Sequence, residues 1–188
     1  MTATDEERDV VDLLRAQHDE IRALFTLVRS STGDRKREAF QELVRLLAVH
    51  ESAEEQVVHP AARGDGDDAV VDARLREEAE AKQVLADLYD LGVEHPKFDI
   101  RFADFEDGVL SHALNEERDE FPALRRRHSP EKLRRMAEAV EAAEAIAPTR
   151  PHPAAGENPV TNLLAGPPVA IVDKARDAVR DWRQSRDA

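Results

Sequence analysis

The stretch His50-Glu51-Ser52-Ala53-Glu54-Glu55-Gln56-Val57-Val58-His59-Pro60-Ala61-Ala62-Arg63 decides how this chain reads, because it returns 62 residues later as His112-Ala113-Leu114-Asn115-Glu116-Glu117-Arg118-Asp119-Glu120-Phe121-Pro122-Ala123-Leu124-Arg125. Both copies hold His-x-x-x-Glu-Glu and Pro-Ala-x-Arg. On a helix, His50 and Glu54 share one face, as do His112 and Glu116. Outward from each pair, apolar residues recur at steps of three and four: Phe40, Leu43 and Leu47 before the first, Phe102, Phe105 and Val109 before the second. A looser echo at an offset of 60 sets His18-x-x-Ile21-Arg22-x-Leu24-Phe25 against Glu78-x-x-Ala81-Lys82-x-Val84-Leu85. The chain therefore reads as a duplicated two-helix unit.

Four helices of about 22 to 27 residues follow from that period. Thr4 with Glu7 forms a capping box for the first, whose stripe is Val11, Leu14, His18, Ile21, Phe25 and Val28. Residues 31–34 turn the chain into the second helix, which ends near His59-Pro60. Gly64 to Asp67 opens the third, with Val71, Leu75, Glu78, Ala81, Leu85 and Leu88 inward, and Gly92 with His95-Pro96 stops it. The fourth runs out near Phe121-Pro122. Short turns leave neighbours antiparallel, so the fold class is all-α, an antiparallel up-down four-helix bundle with additional C-terminal helices. The bundle takes residues 1–128. Residues 129–188 are a C-terminal unit: a helix N-capped by Ser129 with Pro130 in its first turn, a Pro-rich strap, and a last amphipathic helix over 169–184 that holds Trp182.

Composition narrows the function. The 188 residues hold 40 Asp plus Glu against 27 Lys plus Arg, a net charge of −13, so nucleic acid and anionic membrane surfaces are excluded as partners unless a basic patch exists, and none is seen. With no Cys, disulfide scaffolds, thiolate metal sites and cysteine nucleophiles are excluded, and a metal site must use His and carboxylate. No apolar run approaches membrane-spanning length and the first residues lack the pattern of a signal peptide, so a cytoplasmic location is expected.

The inward stripes carry residues of the wrong polarity. His18, His50, Glu54, Glu78, His112 and Glu116 occupy positions that their apolar neighbours assign to the core. Each unpaired buried carboxylate costs several kcal/mol, so something positive must lie between them. Counted from the two turns, His18, His50, Glu78 and His112 lie about 15 to 17 residues in, which at about 1.5 Å per residue places them within about 3 Å of one level. Glu78 is chosen over Glu77 and Glu80 because it stands where the first half has His18.

Together, His18-Asp19-Glu20-Ile21-Arg22, His50-Glu51-x-x-Glu54-Glu55, His112-x-x-x-Glu116-Glu117 and Phe121-Pro122 resemble the hemerythrin-like (HHE cation-binding) family over about residues 8–127. The resemblance implies two non-heme iron ions, oxo- or hydroxo-bridged, inside the bundle. Glu54 and Glu116 would bridge them and His18, His50 and His112 would be terminal ligands. Oxygen-carrying members have a pair of His in the third helix, where this chain has Glu77, Glu78 and Glu80. A more anionic set favours ferric iron, so the resemblance points away from oxygen carriage and toward peroxide decomposition in oxidative-stress defence, of catalase-like or ferroxidase-like type. The alternative is binding or sensing of oxygen, nitric oxide, redox state or iron without turnover. Partners are then small molecules (peroxide, dioxygen or nitric oxide).

Blander readings stand beside these. A single inward His is most simply a core side chain bonded to a backbone carbonyl, and Glu78 can pair with Lys82 one turn on. Glu51 is read as turned partly outward and solvated, His59 as packing or cap chemistry, and Tyr89 as core. Glu55 and Glu117 are read as solvated or supporting positions, the latter orienting a His ring. His95, His128 and His152 are read as solvent-facing. The stripe Val169, Val172, Ala175 and Val179 needs a partner surface, a second copy of the chain among the candidates.

Overall fold

The computed structural model describes residues 8–63 and 68–146. Helix α1, Val10–Ser30, starts at Asp9, whose side chain accepts from the Asp12 amide at 3.0 Å while Asp12 accepts in return from the Asp9 amide. This reciprocal box is the cap actually used; the expected Thr4–Glu7 box lies outside the described residues. Gly33, at φ +56°, turns the chain, a conformation that costs a side chain with a Cβ. Helix α2, Gly33–Ala53, follows.

Pro60 does not end the second rod. A π-helical turn, Glu54–Val58, carries the chain into a short helix α3, His59–Ala62, with the His59 amide reaching back to the Glu54 carbonyl. The fourth rod repeats the device: α5, Phe98–Asn115, a π-helical turn Glu116–Glu120, then α6, Phe121–Arg127. Each proline sits in the first turn of the renewed helix, where its missing N–H is not needed. The rods thus extend past His59-Pro60 and Phe121-Pro122, the endings expected from sequence. Between them, α4 spans Asp68–Leu91 and stops at Gly92, φ +77°, whose amide caps the Leu88 carbonyl. Helix α7, Pro130–Ile146, starts as expected at Ser129, whose Oγ accepts from the Lys132 amide.

Helices α1 and α2 pack as one antiparallel pair, α4 and α5 as the other, and α7 lies against α1 and α2. Among the described residues there is no strand, and no helix is long and apolar enough to cross a membrane. The strap and the final helix with Trp182 lie outside the described residues.

Two apolar clusters fill the bundle, one at each end. One joins Val10, Leu14, Val58, Phe121 and Leu124 to Leu133, Met136 and Val140 of α7, so the fifth helix is part of the same core. The other gathers Ile21, Leu43, Leu47 and Leu88 around five phenylalanines, Phe25, Phe40, Phe98, Phe102 and Phe105, with ring centroids 5.1–6.0 Å apart. Tyr89 packs against its edge. Each rod passes from one cluster to the other at its polar residue: Leu14, His18, Ile21 on α1, and Leu47, His50, Ala53 on α2. The interior is therefore two dry cores with a layer of His and Glu between them.

Candidate metal centre

Every polar residue singled out on the inward stripes reaches this layer. Glu54 is wholly buried, and His18, Glu78 and Glu116 are each 1% exposed; His50 is buried and His112 nearly so. One group of side chains unites His18, His50, Glu54 and Glu116, and a second unites Glu54, Glu78, His112 and Glu116, with one ligand atom of each residue lying within 4.8 Å of the others in its group. Glu54 and Glu116 belong to both. In an α-helical or π-helical rod a His and the Glu four residues later share a face, and the π turns begin at these two glutamates.

The imidazoles are aimed by what holds their outer nitrogens. His18 donates its Nδ1–H to Glu117 at 2.8 Å, His50 to the Gln17 side-chain carbonyl at 2.7 Å, and His112 to Glu77 at 2.9 Å. Those oxygens only accept, so Nδ1 carries a proton in each ring and Nε2 is the nitrogen left facing the layer. Burial alone would lower the His112 pKa, but Glu116 and Glu77 outweigh it and hold that imidazolium up to about 9. Arg22 in turn donates to Glu117 at 2.8 Å and Arg74 to Glu77 at 2.7 Å. Glu117 thus orients a ring, as its position suggested, and so does Glu77. Glu80 is exposed.

The internal repeat is written into these bonds. Gln17 on His50 and Glu77 on His112 are equivalent across the two halves, as are the ion pairs Arg22–Glu117 and Lys82–Glu55. The halves differ most in what faces His18 and its counterpart Glu78. Phe121 stacks on His18, centroids 5.6 Å apart, and at the equivalent place His59 hydrogen-bonds Glu78. A carboxylate cannot use a stacked phenyl ring as an imidazole ring can, so the exchange of His18 for Glu78 comes with the exchange of Phe121 for His59. His59 also donates Nδ1–H to Glu120 at 2.9 Å. Burial alone would lower its pKa, but Glu120 and Glu78 together outweigh burial and hold the imidazolium up to about 10.

His59 is therefore a buried counter-charge, beyond the packing or cap role expected of it. Glu51 is also corrected: it is buried, 3.7 Å from Lys82, and burial together with Glu78 pushes its carboxyl up to about 8 despite that ammonium. The alternative pair Glu78–Lys82 exists only at 3.9 Å, because Lys82 turns to Glu55. His128 is half-buried and donates to the Ala61 carbonyl at 2.8 Å, whereas His95 faces solvent as expected. His152 lies outside the described residues.

The donor set fits a cation on its own terms. Among the described residues, both oxygens of Glu54 and of Glu116, one oxygen of Glu78 and the His112 Nε2 are buried and make no well-formed hydrogen bond, the nearest imidazole nitrogens standing 3.2–3.4 Å from the two shared carboxylates. His18 and His50 meet Nε2 to Nε2 at 3.2 Å, two atoms that repel as lone-pair donors unless a positive charge joins them. Burial, then Glu116 and Glu78, push the Glu54 carboxyl well up; burial and His18 push the His50 imidazolium well down. Glu116 goes the other way, since His112 and His18 outweigh its burial and hold it below the carboxylate range. A neutral His50 and a shared pair of buried carboxylates are what a cation with oxygen and nitrogen ligands requires.

A helical bundle whose mid-layer gathers His and Glu around two overlapping cation sites defines a class: the four-helix metal-binding proteins. The family model described as Hemerythrin HHE cation binding domain matches residues 9–124, and the chain belongs to that family. It is 29% identical over 143 residues to a DNA nickase of Nostoc, covering 74% of this chain and 40% of that protein. It is 27% identical over 139 residues to an uncharacterised hemerythrin-like protein of Schizosaccharomyces pombe, covering 72% of this chain and 68% of the other. A crystal structure of a hemerythrin HHE cation binding domain-containing protein from Mycobacterium kansasii aligns with a TM-score of 0.67 at 18% identity, over 89% of this chain and 99% of that one.

Proposed function

We propose that this chain holds two non-heme iron ions and acts on peroxide or dioxygen species in oxidative-stress defence. The observation that carries the reading is the sharing of Glu54 and Glu116, both buried without a well-formed hydrogen bond, by two four-residue groups. His18 and His50 would complete one site, Glu78 and His112 the other. Three imidazoles with three carboxylates form a hard, anionic set that favours ferric iron, which weighs against reversible oxygen carriage. Bound iron supplies Lewis-acid charge and redox equivalents for cleaving an O–O bond. The chain's own residues do the rest. Glu117, Gln17 and Glu77 fix the three rings, His59 balances Glu78, and the two apolar clusters bound the layer on either side along the bundle.

The DNA nicking named for the Nostoc relative is not carried over, since the match takes in 40% of that protein and a net charge of −13 opposes a phosphate backbone. The test is elemental analysis followed by a peroxide-consumption assay. Two irons per chain with oxygen release above that of free iron supports the proposal. Iron bound without turnover points instead to binding or sensing of oxygen or nitric oxide.

A further inference from the structure

We propose that the cavity between α4 and α5 binds a neutral organic molecule with an apolar body, and that organic hydroperoxides are the substrate class it admits. The assignment deepens the peroxide reading above and rests on it only for what happens at the cavity floor. The cavity measures about 260 Å³. Water takes roughly 30 Å³ in the liquid, and a dry cavity of roughly 150 Å³ lined by Leu, Ile and Phe holds benzene. The space is therefore several times what hydrogen peroxide needs and fits a single ring with alkyl substituents.

Its chemistry runs in one direction. The floor is polar, formed by His18, His50, Glu78 and His112, the residues of the candidate centre. Above it the walls are apolar: Leu47, Ala81, Phe105 and Val109. The mouth opens beside Val84, a large apolar side chain 39% exposed, between the exposed acids Glu80 and Asp104. A ligand matching this order has one polar end, an apolar body and no negative charge, because carboxylates at the rim oppose an anion while a neutral molecule passes.

Gly108 is consistent with that shape. It lies within α5 and lines the cavity, and a Cβ built there meets nothing within 4 Å. Glycine inside a helix costs about 1 kcal/mol against alanine. Among the described residues no neighbouring atom requires that sacrifice, and Gly108, exposed on α5, leaves the rim of the cavity open there. Consumption by dismutation balances without an outside reductant: two molecules of hydroperoxide give two of the alcohol and one of dioxygen.

The test uses iron-loaded full-length protein and the neutral alcohol 2-phenyl-2-propanol, titrated by calorimetry, with benzoate as an anion of similar size. The expected result is saturable binding at one site with Kd of about 1 mM or tighter, at least tenfold weaker binding of benzoate, and at least tenfold weakening by Gly108→Phe but not by Gly108→Ala. Cumene hydroperoxide should show kcat/KM at least tenfold above hydrogen peroxide. Should Gly108→Phe fail to fold, Ala81→Phe fills the same space from the facing wall. No saturable binding by the unaltered protein, equal binding of benzoate, or equal kcat/KM for the two peroxides would overturn the assignment. Alcohol binding in a protein that takes up no iron would overturn the iron reading alone and leave the cavity assigned.

Discussion

Replacing His59 by Phe makes the first half of the chain carry the aromatic that the second half carries at Phe121, and the structure says that this restoration of symmetry is harmful. His59 is 1% exposed and its two ring nitrogens are bonded to Glu78 and Glu120, themselves 1% and 3% exposed. Its removal leaves two buried carboxylates without their counter-charge. Breaking a buried ion pair from one side costs about 3–5 kcal/mol. At about 2–4 °C per kcal/mol for a chain of this length, the melting temperature of the metal-free protein should fall by about 6–20 °C. Adding Glu78→His to that background recreates the imidazole-on-phenyl pair seen at His18 and Phe121, and should recover part of the loss, with a coupling of about 2 kcal/mol or more in the cycle. Urea unfolding of the chelated single and double variants measures each corner. A His59→Phe loss within about 0.5 kcal/mol, or strict additivity of the two substitutions, would refute the idea that His59 and Glu78 are one exchanged unit.

Other predictions follow from the same geometry. Arg74→Ala should lower iron affinity about 10–100-fold without unfolding the bundle, because Arg74 holds the Glu77 that aims His112; a competition titration against a chelator reads this out. Phe102→Ala should cost about 3–5 kcal/mol in urea unfolding by opening the five-ring cluster, far from the polar layer. Asp9 feels its burial first, yet Arg125, donating at 2.9 Å, holds its carboxyl below the usual value. A depressed carboxylate stabilises the fold above its unfolded pKa of about 3.9 and loses that contribution as pH falls through the folded value. Arg125→Ala should therefore cost at most about 1 kcal/mol at neutral pH, with the difference from the unaltered protein shrinking below about pH 4.

The four rods, their order and the layer of six polar residues were legible because each rests on a period: three and four along a helix, 60 and 62 along the chain. Glu78 was legible for the same reason, as the counterpart of His18. What escaped lay where the repeat departs from itself. His59 and Glu120 stand opposite Phe121 and Val58 in the duplication, and those two departures find each other across the bundle at 2.9 Å. Comparing the halves for their differences would have exposed the pair. The buried Glu51 had no such signal, since a helical angle at the edge of the stripe reads equally as wet or dry until α4 is in place. The π turns were hidden in Pro60 and Pro122, which in sequence look like endings; the bond from His59 back to Glu54 shows why the rod survives them.

Iron content is the most direct measurement of the central claim. Elemental analysis of protein purified from iron-replete cells, repeated on Glu54→Ala and Glu116→Ala, should give two irons per chain in the unaltered protein and less than one in either variant, because each carboxylate serves both sites. Fewer than one iron in the unaltered chain, or two irons retained after either carboxylate is removed, would contradict it.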